Sequence, residues 1–87
     1  MVLSGKIIRN AEIIKTATVI VDEEGLPFNL KLERAFVSLC RELKSPLPMW
    51  LGKNSKEFAH FRITHFSSDQ FTEDVNFDRF EVELESF

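Results

Sequence analysis

Between Asn29 and Leu43 the chain reads NLKLERAFVSLCREL, and apolar residues recur every three or four positions. At 100° per residue, Leu32, Ala35, Phe36, Leu39, Cys40 and Leu43 fall on one side of a helix. Lys31, Arg34, Ser38, Arg41 and Glu42 fall mostly on the other. Asn29 is the expected N-cap, since its side chain can accept from a free first-turn N–H, and Pro27 suits a chain entering a helix. Lys44-Ser45-Pro46 ends the element, because proline disfavours helical geometry before it and has no N–H to donate. A helix of about four turns cannot bury such a stripe alone, so it calls for a sheet to lie on. Leu30 and Val37 sit on a flank beyond the stripe, to be covered either by a Pro46–Leu51 strap or by a second molecule.

Elsewhere the pattern has the two-residue period of strands. After a starter segment, Met1 to Gly5, the stretch Lys6 to Val21 is rich in Ile, Val and Thr. A two-residue turn at Asn10-Ala11 would set Arg9 against Glu12, Ile8 against Ile13 and Ile7 against Ile14. A longer bulged strand is the alternative, because Ala11 is poorly suited to positive φ. Alternation then assigns Ile8, Ile13, Ala17, Val19 and Val21 to the core, and Ile7, Ile14, Thr16, Thr18 and Ile20 to the opposite face. That second face is more apolar than a solvated one. The segment Ser45 to Leu51 carries two prolines and fits an edge strand or a strap. A short helical turn at Lys56 to Ala59 leads into a strand over His60 to Phe66, followed by a Ser67…Gln70 capping box and one helical turn. Phe77 to Leu84 alternates cleanly, with Phe80, Val82 and Leu84 inward and Arg79, Glu81, Glu83 and Glu85 outward. The expected fold is therefore α+β: a single domain over residues 1–87, with an antiparallel sheet of about four strands and one main helix packed on one face. Its element order is β-β-α-β-short helical turn-β.

Composition narrows the function classes. The chain has 87 residues, 44% of them hydrophobic and 29% charged, a globular balance with a formal net charge of -3. An acidic balance disfavours nucleic acid and anionic membranes as partners. No apolar run approaches the ~20 residues of a membrane span. One cysteine allows no internal disulfide, and no basic leader with an apolar run opens the sequence, so a cytoplasmic setting is expected. Nine Phe, one Trp and no Tyr make the rings almost wholly apolar, which points to core. Trp50, the one ring with a donor, either plugs the end of that core or sits in a partner site.

No constellation of residues spells out catalysis. Asp22-Glu23-Glu24-Gly25 lacks calcium-loop spacing and reads as a solvated turn. Gly52-Lys53 lacks the upstream glycine and the following Ser or Thr of a phosphate loop. His60 and His65, five apart on a strand, point to opposite faces and share no metal. His65 with Ser67 or Ser68 and Asp69 supplies residue types for nucleophilic chemistry without converging geometry. No cofactor or metal is expected. A nucleic-acid reading would use Lys53, Lys56 and Arg62 with neighbouring Phe residues, clustered with Lys6 or Lys15. Lys56 to Phe61 echoes the aromatic-basic strand of RNA-recognition domains, without its glycine and second aromatic. A third reading is an enzyme with a His60 or His65 pocket beside a carboxylate. Trp50-Leu51-Gly52-Lys53-Asn54, Glu57-Phe58-Ala59, Phe61, Phe66, Phe71 and Phe77-Asp78-Arg79-Phe80 resemble a pattern in small uncharacterised bacterial proteins, over residues 49–82. That resemblance implies no activity. The expected role is a non-catalytic protein-interaction or self-association module, forming a homodimer or docking on a protein partner. Its candidate surface is Ile7, Ile14, Ile20, Leu30, Val37 and Trp50.

Overall fold

At Asn10-Ala11 the chain doubles back on itself. In the computed structural model, which describes residues 1–87, β1 (Val2–Arg9) pairs antiparallel with β2 (Glu12–Ile20). Both turn residues are left-handed, with φ of 53° at Asn10 and 64° at Ala11, as a two-residue hairpin loop requires. The Asp78 carboxylate accepts the Asn10 N–H at 2.7 Å and holds the turn down. Arg9 faces Glu12 and Ile8 faces Ile13 as expected, but Ile7 faces Lys15. Ile14 is the extra residue of a β-bulge, and the expected Ile7–Ile14 pair does not form.

The bulge corrects the assignment of faces. Leu3 and Ile7 of β1 point into the core, together with Gly5, and Ile7 is only 2% exposed. Ser4 and Lys6 alternate with them and cannot be buried without partners, so the odd-numbered residues must face inward. The strand also begins at Val2, inside the expected starter segment. Met1 and Val21 exchange both backbone hydrogen bonds at 2.9 Å, which closes the open end of the hairpin.

The remaining elements are α1 (Phe28–Glu42), α2 (Gly52–Phe61), β3 (Ile63–Ser67) and β4 (Arg79–Ser86), with a single 3-10 turn at Ser68–Gln70. The sheet order is β2-β1-β4-β3, every neighbour antiparallel. This is the expected α+β domain with its four-stranded antiparallel sheet. Both helices lie over one face. From above come Ala35, Phe36, Leu39 and Cys40 of α1, Leu43 at its C-cap, and Phe58 of α2; from below come Leu3, Ile7, Phe66, Phe80 and Val82. Each fully buried Phe or Leu stabilises the fold by ~2–3 kcal/mol before entropy is counted. Burial also pushes the Cys40 thiol up to about 12, so it stays protonated near neutrality.

Two further expectations change. The N-cap of α1 is Pro27, whose carbonyl accepts from Leu30 and Lys31 at 3.1 Å each; Asn29 lies inside the first turn and caps nothing. The expected short turn at Lys56 to Ala59 is a helix of 10 residues that absorbs His60 and Phe61, so the following strand starts only at Ile63. Between the helices, Ser45 to Leu51 is a strap with no strand pairing. Its Met49 N–H bonds the Gln70 carbonyl at 2.7 Å, and Pro48 is buried.

Candidate interaction surfaces

The outer edge of β2 is the longer of the two free edges of the sheet. Because Met1 and Val21 exchange both hydrogen bonds, alternation gives Val19 and Ala17 the same role opposite Leu3 and Gly5. The N–H and C=O groups of Thr16, Thr18 and Ile20 therefore point away from β1, into open space. Their side chains lie on the sheet face that carries no helix. Sheets usually blunt such an edge with charge or proline. Here the one charge between Ile13 and Ile20 is Lys15, and its ammonium turns to the helix side to bond the Leu43 carbonyl at 3.2 Å, at the end of α1. The opposite edge, β3, is only 5 residues long and packs against α2.

The expected surface residues divide. Ile20 is 71% exposed and Ile14 lies at the bulge, also exposed, so both belong to the β2 edge. Ile7 is core and takes no part. On α1, Leu30 remains 42% exposed, so the strap does not cover it, and Val37 is half-buried.

Trp50 is half-buried at the end of the core, edge-on to Phe36 and Phe58 with ring centroids 5.5 and 5.7 Å away. Its indole N–H donates to the Ser55 hydroxyl at 2.8 Å. The same ring floors an apolar recess of about 420 Å³ between α1 and α2, whose walls include Phe28, Leu32, Phe58, Leu84 and Phe87. Phe28 and Phe87 touch, with centroids 4.9 Å apart, and the Lys31 ammonium lies 5.8 Å from the Phe87 ring centre. Arg62 also lines the recess.

Beneath α2 lies a buried polar hub. The Asn54 oxygen accepts from the Leu51 N–H at 2.9 Å and from Gln70 Nε2 at 3.0 Å. Its amide nitrogen donates to the Thr64 hydroxyl at 2.8 Å and to the His65 carbonyl at 2.9 Å. Thr64 in turn donates to Glu57 at 2.7 Å. Every hydrogen-bonding site of the Asn54 side chain is thus used, and it joins the strap, α2, β3 and the 3-10 turn. No buried side-chain nitrogen or oxygen lacks a partner.

No protein-family model, curated protein or solved structure matches the chain.

The groups named for other chemistries lie apart. Lys53 and Lys56 are on α2 and Arg62 follows it, but Lys6 lies on the opposite sheet face between Thr16 and Glu81, and Lys15 is bonded to the end of α1. The cluster expected for nucleic acid is therefore not assembled. His60 is on α2, while His65 is on β3 opposite Glu81. His65 does share a shallow cleft of about 240 Å³ with Glu57 and Glu81, yet its ring makes no hydrogen bond or ion pair, and Glu57 is engaged by Thr64. No three His, Cys, Asp or Glu side chains gather within reach of a metal ion. Sequence reasoning offers Asn54 or Ser55 only as a cap for the short helical turn, and misses both the buried hub around Asn54 and the recess. The Asn54 signal was faint: one amide at the start of a segment whose only other buried helical position is Phe58. The recess draws its walls from α1, the strap, α2, β4 and Phe87, so no local pattern announces it.

Proposed function

We propose that the protein is a small, non-catalytic, cytoplasmic interaction module that self-associates through the outer edge of β2. One observation carries this reading: Thr16, Thr18 and Ile20 present backbone donors and acceptors with no partner, on a strand of 9 residues without an outward charge between Ile13 and Ile20. An extended strand adds naturally to such an edge. Two copies related by a two-fold axis would set Thr18 against Thr18 and Thr16 against Ile20, with about six backbone hydrogen bonds across the seam. Threonine pairs and a threonine–isoleucine pair are favourable cross-strand neighbours on an exposed face. The bulge at Ile14 bends the strand beyond this region and ends the pairing there. The two sheets would join into one of eight strands, with helices on one side. A single strand pair lies at the small end of specific interfaces, so an affinity on the order of micromolar is expected.

Light scattering across a concentration series tests this. At high concentration the mass should approach twice the chain mass of 10.1 kDa, and it should fall on dilution. Thr18→Pro removes one outward N–H, a change that an edge strand tolerates. That variant should keep the wild-type far-ultraviolet spectrum and stay monomeric. A wild-type protein that remains a monomer up to about millimolar concentration removes the proposal.

A further inference from the structure

The recess over Trp50 has the size, lining and charge of a small-ligand site, and it lies away from the β2 edge. We infer that it binds an amphipathic carboxylate, a hydrocarbon chain with one anionic head, the chain against Trp50 and the head at Arg62. Its volume of about 420 Å³ falls within the range of ~300–1,000 Å³ usual for such sites. A second hollow of about 310 Å³ shares Phe28, Leu32 and Trp50 with it and adds Asn29, Glu33 and Phe36. Seven of the nine lining residues are hydrophobic. The indole N–H is already taken by Ser55 at 2.8 Å, so the floor asks for no polar partner and suits a hydrocarbon.

Arg62 is the one charged side chain lining the 420 Å³ recess, and Glu33 lies on the adjoining hollow, so the anionic head belongs at the Arg62 end. The molecule has two ion pairs, Arg34 with Glu23 and Arg79 with Glu81, and Arg62 belongs to neither. In a chain with a net charge of -3, an exposed arginine beside apolar walls with no carboxylate partner is complementary to an anion on the ligand. Arg62 is also held in place from both sides. Its N–H bonds the Phe58 carbonyl at 2.9 Å, and its own carbonyl accepts from Leu84 at 2.8 Å. Its backbone is left-handed, φ 58° and ψ 21°, at the end of α2, where glycine is the usual residue. Arginine takes up a conformation there that glycine would adopt with less strain. Lys31, beside Phe87, adds a second positive charge near the mouth. A neutral chain would forgo the head-group contact, and a cationic one would be repelled.

Trp50 is the single tryptophan, so its emission reports on the recess directly. The experiment titrates the full protein with dodecanoate, kept below its aggregation threshold, and with dodecyltrimethylammonium, a cation of equal chain length. Calorimetry repeats each titration. Dodecanoate should give a saturable change in emission, and the cation should bind about tenfold more weakly or not at all. Arg62→Gly separates charge from fold, because glycine suits the left-handed position. That variant should unfold at no lower temperature than the wild type, yet lose about tenfold or more in dodecanoate affinity. Ala59→Leu, which adds bulk to the lining from the exposed side of α2, should weaken both chains alike. Absence of a saturable response, equal affinity for the two chains, or wild-type affinity in Arg62→Gly overturns the inference. Because Thr18→Pro leaves the recess untouched, dodecanoate binding in that variant distinguishes failure here from failure of the β2 pairing.

Discussion

At the scale of single residues, Asn54 ties more of the molecule together than any apolar side chain of α2. It is fully buried and serves four partners with four hydrogen-bonding positions. An apolar replacement of similar size, Asn54→Leu, keeps the volume, takes the side-chain partner from the Leu51 N–H and the His65 carbonyl, and leaves the Thr64 hydroxyl with Glu57 alone and the Gln70 amide nitrogen with the Met49 carbonyl alone. Unsatisfied buried groups cost ~1–3 kcal/mol each, with partial relief from rearrangement and water. A loss of about 3–4 kcal/mol is therefore expected, which for a domain of this size lowers the melting temperature by roughly 12–30 °C. Asn54→Asp should be comparably damaging, since it keeps the acceptor, loses both donors and buries a charge beside the His65 carbonyl oxygen. Thermal unfolding checks both variants. Melting temperatures within ~3 °C of the wild type would show that the hub is dispensable. Asn54 could not be weighed from the sequence, because a polar residue is ordinarily read as exposed and its partners are up to 16 positions away.

At the scale of elements, α1 and β4 were legible and α2 was not, for a physical reason. The buried faces of α1 and β4 are apolar throughout, so their periods of 3.6 and 2 stand out. The buried face of α2 holds Asn54 and Phe58, which breaks the apolar repeat, while the β-branched and aromatic run at its end imitates a strand. Arg62 hides the boundary further, because it occupies a left-handed position that glycine would have marked. The hairpin was half legible: Asn10-Ala11 turned as expected, but the Ile14 bulge reversed the face of Ile7 and took it out of the candidate surface. Packing of α1 on the sheet depends on Gly5, another position whose role appears only in three dimensions. A Cβ built there would lie 2.9 Å from Leu39 Cδ2 and 3.0 Å from Leu43 Cδ1. Gly5→Ala is expected to force the buried Leu39 and Leu43 side chains to repack and to cost ~1–3 kcal/mol despite the better strand propensity of alanine. Chemical denaturation reads the change, and Gly5→Ala combined with Leu39→Ala should recover part of it by making room. If Gly5→Ala alone is neutral or stabilising, the close approach does not constrain the fold.

At the scale of the whole molecule, the sheet is closed on one face by helices and open at one long edge, and this asymmetry makes the proposed pairing testable amide by amide. Within one chain, the N–H groups of Ala17, Val19 and Val21 are bound to β1 and those of Thr16, Thr18 and Ile20 are not. Hydrogen exchange in a dilute, monomeric sample should therefore alternate along β2, slow at the odd positions and fast at the even ones. Pairing of two β2 edges would supply partners to the even positions alone. On raising the concentration, Thr16, Thr18 and Ile20, fast in the monomer, should become slow together, so that the alternation along β2 disappears; Ala17 and Val19, already slow, slow further only as association stabilises the folded chain. Amides of β3 and α2 that are fast in the monomer should stay fast, since they lie at the other end of the sheet order. A partner docking on the open sheet face through Ile14 and Ile20 side chains would leave the even amides fast, so the two-residue period distinguishes strand pairing from any other association. Thr16, Thr18 and Ile20 amides that stay fast at high concentration, or new protection centred on Leu30 and Val37 of α1, would place the contact elsewhere and remove the β2 edge from the mechanism.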